Sequence, residues 1–120
     1  MNWYIAKIIF QITVSGISHT PQFDEQLRLI EAHDEQEAFR KARWKGQQED
    51  ESFLNNVKET VRWQFIDIAE LTEVKKLEDG TELYSKIRET PDASKYIKVI
   101  RQKAQAIEMK SHVELLNAML

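Results

Sequence analysis

The sequence predicts an α+β domain: an antiparallel sheet of four or five strands in the order β-β-α-β-β-β-α, with both helices mainly on one face. Three observations carry this. Residues 2–14, NWYIAKIIFQITV, form a long strand-like run that is apolar on both faces through its first half, the behaviour of an interior strand. Asp34, followed three residues later by Glu37, opens a helix with an acidic cap and a glutamate placed to reach back to the cap's own N–H. Alternating segments return after that helix, one from Val57 and two more around Asp79-Gly80.

Read with period two, the first run places Tyr4, Ala6, Ile8, Phe10, Ile12 and Val14 on one face and Trp3, Ile5, Lys7, Ile9, Gln11 and Thr13 on the other. The even face is apolar throughout. The odd face is apolar only to Ile9, so the first half of the strand should be covered on both sides and the second half on one. Ser15-Gly16 and the stretch to Pro21 supply loop chemistry, and QFDEQLRLIEAHD resumes as a second strand with Phe23, Leu27 and Leu29 on one face. In the first helix Glu35, Ala38, Phe39, Ala42 and Gly46 share a face whose small residues allow close approach to a sheet. The polar stretch GQQEDES ends that helix near Gly46 or shortly after it.

From Val57 the pattern Val57, Val61, Trp63, Phe65 against Lys58, Thr60, Arg62, Gln64 is a strand buried on one side. FIDIAEL then breaks the phase, which predicts a bulge, bend or strand change near residues 65–69. Asp79-Gly80 predicts a hairpin, with Val74 and Leu77 facing Leu83, Ser85 or Ile87. The last helix should start with Thr90 as its cap and Pro91 at the first position, and Ala93, Tyr96, Ile97, Ile100, Ala104 and Ile107 form one stripe. If it continues, Met109, Val113, Leu116 and Leu120 form a second stripe roughly opposite the first. Two apolar sides need two partners. The alternatives are a second subunit and a bend near Ser111 that folds residues 111–120 back on their own chain.

The whole chain, residues 1–120, reads as one domain with a C-terminal helical extension from about residue 108. With 17 basic and 20 acidic residues the net charge is −3, which names no polyanionic partner. The absence of cysteine excludes disulfides, thiolate nucleophiles and cysteine-ligated metals, and fits a reducing, cytoplasmic setting. The apolar opening falls short of the roughly 20 residues that span a membrane and is interrupted by Lys7, so no membrane segment is expected.

No catalytic residue stands out. His19, His33 and His112 are scattered without metal-ligand spacing, no phosphate-binding glycine loop or nucleophile elbow occurs, and neither metal nor cofactor is expected. The least weak cluster is Ser15, Ser18 and Thr20 beside Gly16 and His19, which is ordinary loop composition. Trp44 lies opposite the small-residue stripe of the first helix, among Arg40, Lys41, Arg43 and Lys45. The favoured reading is that Phe53 and Leu54 fold back onto it. A protein contact comes next, and stacking on a nucleic-acid base last. The functional expectation is therefore a non-enzymatic binding or protein-interaction module, an accessory or immunity-type protein acting as a homodimer joined through the C-terminal stripe Met109, Val113, Leu116 and Leu120, the odd sheet face around Trp3, Ile5 and Ile9, or both, with Trp44 as a further contact. The alternative is a small-ligand or enzymatic domain whose pocket is lined by Trp3, Tyr4 and Trp63.

NWYIAKIIF, LIEAHDEQEAFRKA, VRWQFIDIAEL and LEDGTELYS, in that order over roughly residues 2–86, resemble the family of short, mostly bacterial proteins known as domain of unknown function 4288. The resemblance implies one small α+β domain and carries over no catalytic residue. The family pattern has a glycine soon after its Trp-x-Phe strand, where this chain has Asp67, so the resemblance leaves the tightness of that bend open.

Overall fold

The computed structural model describes residues 1–16 and 18–120. Ile17, inside the expected loop after the first strand, lies outside the described residues. The elements are β1 (Asn2–Val14), β2 (Gln22–Ala32), α1 (Glu35–Gln48), β3 (Glu51–Leu54), β4 (Thr60–Val74) and α2 (Ala93–Met119). The strands form one antiparallel sheet in the spatial order β2-β1-β4-β3. The chain divides into two compact units, Met1–Ser85 and Lys86–Leu120. The α+β class and the central position of the opening strand are as the sequence predicts.

β1 earns its interior place by its side chains. Tyr4, Ala6, Ile8 and Phe10 are buried on the even face, and Ile5 is only 9% exposed on the odd face. α1 lies on the even face because Ala38, Ala42 and Gly46, each one turn apart, are small enough for its backbone to approach the strands. A Cβ on Gly46 would collide with the Phe65 ring. Asp34 caps the helix by accepting from the Glu37 amide at 2.8 Å. Glu37 reaches back one residue further than expected, to the His33 amide at 3.3 Å.

The phase break in FIDIAEL is two register shifts in the β1–β4 ladder, between Lys7 and Ile8 and between Ile9 and Phe10. Asp67 sits between them without positive φ, and its Oδ1 accepts from the Ile68 amide at 2.8 Å. The carboxylate supplies a hydrogen bond that a glycine could not. That explains how Asp67 serves at this bend.

Three expectations need correction. No strands flank Asp79-Gly80, so β4 is the last strand and the order is β-β-α-β-β-α. A hairpin turn of the expected kind needs positive φ at both central residues, and only Gly80 has it; the Glu78–Thr81 turn is closed by Thr81 donating to the Glu78 carbonyl at 3.1 Å. The fourth strand is instead β3, which begins in the last two residues of the polar stretch GQQEDES and ends with Phe53 and Leu54, and Val57 belongs to the β3–β4 loop. There Asn55 Oδ1 accepts from the Val57 and Glu59 amides, organising the loop with Lys58 at φ 63°. Finally, Asp92 rather than Thr90 caps the last helix, accepting from the Lys95 amide at 3.0 Å.

The irregular segment after β4 partly covers the odd face, bringing the Tyr84 ring over Lys7 with the ammonium 5.9 Å from its centroid. Trp3 and Ile9, on the same face, are half-buried within one chain. The second unit, by itself, is a continuous helix through Ser111 with no buried residue, and no helix among the described residues is long and apolar enough to cross a membrane.

Candidate binding groove

The register shows where the helix-bearing face changes character. Opposite the first half of β1, the even positions of β2 are Ala32 and Ile30, both buried beneath α1. Further along they become Arg28, Gln26 and Asp24, paired with Ala6, Ile8 and Phe10. β1 stays apolar on that face while its neighbour turns polar. α1 ends at Gln48 and the chain crosses through Glu49 and Asp50 into β3, so a groove of about 480 Å3 opens beyond the helix C-terminus. Phe10, Gln26, Arg28, Glu49, Phe53 and Trp63 are among its walls.

A string of hydrogen bonds holds these groups. Trp63 Nε1 donates to Asp24 Oδ2 at 3.2 Å, Gln26 Nε2 donates to the same oxygen at 2.6 Å, Arg28 Nε donates to Gln26 Oε1 at 3.1 Å, and Arg28 Nη2 donates to Glu49 Oε2 at 2.6 Å. Phe53 stacks on Trp63 with centroids 6.0 Å apart and planes 21° off parallel. Beside them Asp50 accepts from the Phe65 amide at 3.0 Å and pairs with Arg62 at 3.4 Å, anchoring β3 to β4. The arrangement holds the Trp63 ring and the Gln26 side-chain amide in place along the groove wall.

The pocket residues expected from sequence are not brought together. Tyr4 is buried under α1, whereas Trp3 points to the opposite face beside Val74. Trp63 pairs with Ile12, nine residues along β1 from Trp3, a separation of about 30 Å at strand rise. Only Trp63 lines the groove. The sequence pattern assigns no site role to its neighbours Asp24, Gln26, Arg28 and Glu49 and sends Phe53 to Trp44 instead, although the switch to polar even positions in β2, opposite the apolar run of β1, is a usable signal.

Trp44 is 55% exposed, and Phe53 stacks on Trp63 in place of the expected fold-back onto Trp44. Of its cationic neighbours, Lys41 donates to the Glu31 carbonyl at 2.8 Å, and Arg43 makes two 2.9 Å bonds to Asp67 while lying over the Phe39 ring. The Arg43 guanidinium holds the Asp67 carboxyl below the usual aspartate range, and the same bond raises the Arg43 pKa. These cations tie α1 to the sheet. Met109, Val113 and Leu116 are exposed on α2, and so is Leu120 just after its end. Among the described residues no group of three or more histidines and carboxylates converges to hold a metal.

Fold and groove together define a small α+β domain in which one helix covers only part of a four-stranded antiparallel sheet. The chain belongs to the family described as domain of unknown function (DUF4288), which matches residues 3–85. The match ends where the first compact unit ends. Neither the curated proteins nor the solved structures yielded a match.

Proposed function

We propose that the protein is a non-enzymatic binding module, bacterial and cytoplasmic, that engages a partner or ligand through the groove between β2, the end of α1 and β3. The hydrogen-bonded string from Trp63 to Glu49 carries the reading. It holds an aromatic wall and polar groups in place before anything binds, which lowers the ordering cost of association. A thermal-shift screen of metabolites and short peptides on the full chain tests it. Reproducible stabilisation by one ligand class, lost in Phe53→Ala, supports the groove; stabilisation that persists unchanged in that variant places binding elsewhere.

A second reading concerns assembly. α2 carries apolar stripes with no buried residue, and Val113 and Leu116 are about half exposed. Leaving such side chains in water forgoes roughly 1.5 to 3 kcal/mol each. Pairing α2 with a second copy, as a homodimer, would bury them. Light scattering after size exclusion should show a dimer that Val113→Glu/Leu116→Glu converts to monomer. A wild-type chain that is monomeric at high micromolar concentration removes this reading.

A further inference from the structure

The groove's charge is not balanced. Arg28 contributes one positive charge, against negative charges on Glu49 and Glu51 in the lining and on Asp24 immediately behind it, a net of −2. Arg62 and Asp50 alongside cancel each other. Arg28 spends Nε on Gln26 and an Nη2 proton on Glu49, so an incoming anion would share the guanidinium with Glu49 and face Glu51 and Asp24 as well. Glu51 is exposed and has no ion-pair partner among the described residues. The remaining wall is aromatic, with the Phe53 ring 45% exposed beside Trp63. A hard metal ion needs several converging oxygens, which are not assembled here. An organic cation needs a ring face within about 6 Å and a nearby countercharge.

We propose that the groove takes an organic cation, an ammonium or guanidinium group, held against the Phe53 and Trp63 rings with Glu49 and Glu51 as counterions. This rests on the groove being the binding site and adds the class of its ligand. The cation comes either from a free amine-type molecule or from a basic side chain of a partner peptide.

The test follows backbone amides and the three tryptophan indole N–H signals of the 15N-labelled full chain at low ionic strength. The probes are arginine amide and a seven-residue alanine-rich peptide with a central arginine, each matched by its citrulline isostere, plus the same peptide with a central glutamate. The arginine probes should shift the Trp63 indole and the Glu49–Phe53 amides, with citrulline weaker by at least about tenfold. Glu51→Gln, at an exposed position, should weaken arginine binding by about three- to tenfold while leaving thermal unfolding unchanged, and Phe53→Ala should weaken it as much with a small drop in the melting temperature from the lost Trp63 stack. Equal shifts by arginine amide and peptide identify a free cation, and shifts by the peptide alone identify a partner's side chain; either upholds the proposal. Citrulline or glutamate probes binding the groove as well as arginine would overturn the cation while sparing the groove. Shifts from no probe, or only away from the groove, would overturn the cation, and the groove would then stand or fall on the metabolite and peptide screen with Phe53→Ala.

Discussion

The two halves of the helix-bearing face are built from the same strand and end in different chemistry. Beneath α1, Tyr4, Ala6 and Ile8 meet Ala38 and Ala42, and Ile30 and Ala32 close the layer from β2. Beyond the helix end, Phe10 and Trp63 continue the apolar floor, but β2 supplies Arg28, Gln26 and Asp24. The lengths explain the divide. A helix of 14 residues spans about 21 Å and a strand of 13 about 43 Å, so α1 cannot roof the whole of β1. The uncovered half must satisfy water as well as its neighbours, and it does so with a paired polar network set against two rings. A groove is what remains when the helix is shorter than its sheet.

Substitutions on either side of the divide should differ in cost. Phe10, at the boundary, is 1% exposed and meets Phe65 edge-on with centroids 6.0 Å apart. Phe10→Ala should lower unfolding stability by about 3 to 5 kcal/mol, read as the denaturant midpoint. An unchanged midpoint would break the claim that the core reaches this far. Gly46→Ala should destabilise by about 1 to 2 kcal/mol, because the clash with Phe65 outweighs the helix-propensity gain of about 1 kcal/mol. In a Phe65→Leu background the sign should reverse, and calorimetry on the four proteins checks the coupling.

On the open side, Glu49→Gln removes an ion pair whose partners are about one-third exposed or more, and should cost no more than about 1 kcal/mol in chemical denaturation. A loss as large as that of Phe10→Ala would mean that the groove wall is structural. The smallest effect concerns Asp67. Because its folded-state pKa is depressed by Arg43, the pair's contribution is present above the ordinary aspartate range and is lost as pH falls below about 4. Asp67→Asn should therefore narrow its stability gap to wild type on acidification, in a series of melts from pH 6 to pH 3.

Much of this was legible because it is local or strictly periodic. The Asp34 cap, the small-residue stripe and the disturbance near residues 65–69 each depend on neighbours within a few positions. Asp79-Gly80 misled because the same dipeptide serves turns with one or two positive φ values, and flanking strands decide between them. β3 was hidden because its four residues are all exposed and have no buried face to write an alternating pattern. The pocket expected at Trp3, Tyr4 and Trp63 failed on register: aromatic identity and the opposite faces of Trp3 and Tyr4 were visible, while the distance of Trp63 along β1 was not.

By itself, then, the sequence determined the α+β class, the central placement of β1 and the close approach of α1, since each follows from apolar period and side-chain size along a single stretch. Only the tertiary structure decided that Asp24, Gln26 and Arg28 would face Glu49 and Trp63, residues up to 39 positions away. Their pairing depends on how far a helix reaches along a strand and on which chain returns beside it, quantities set by packing between elements and carried by no one of them.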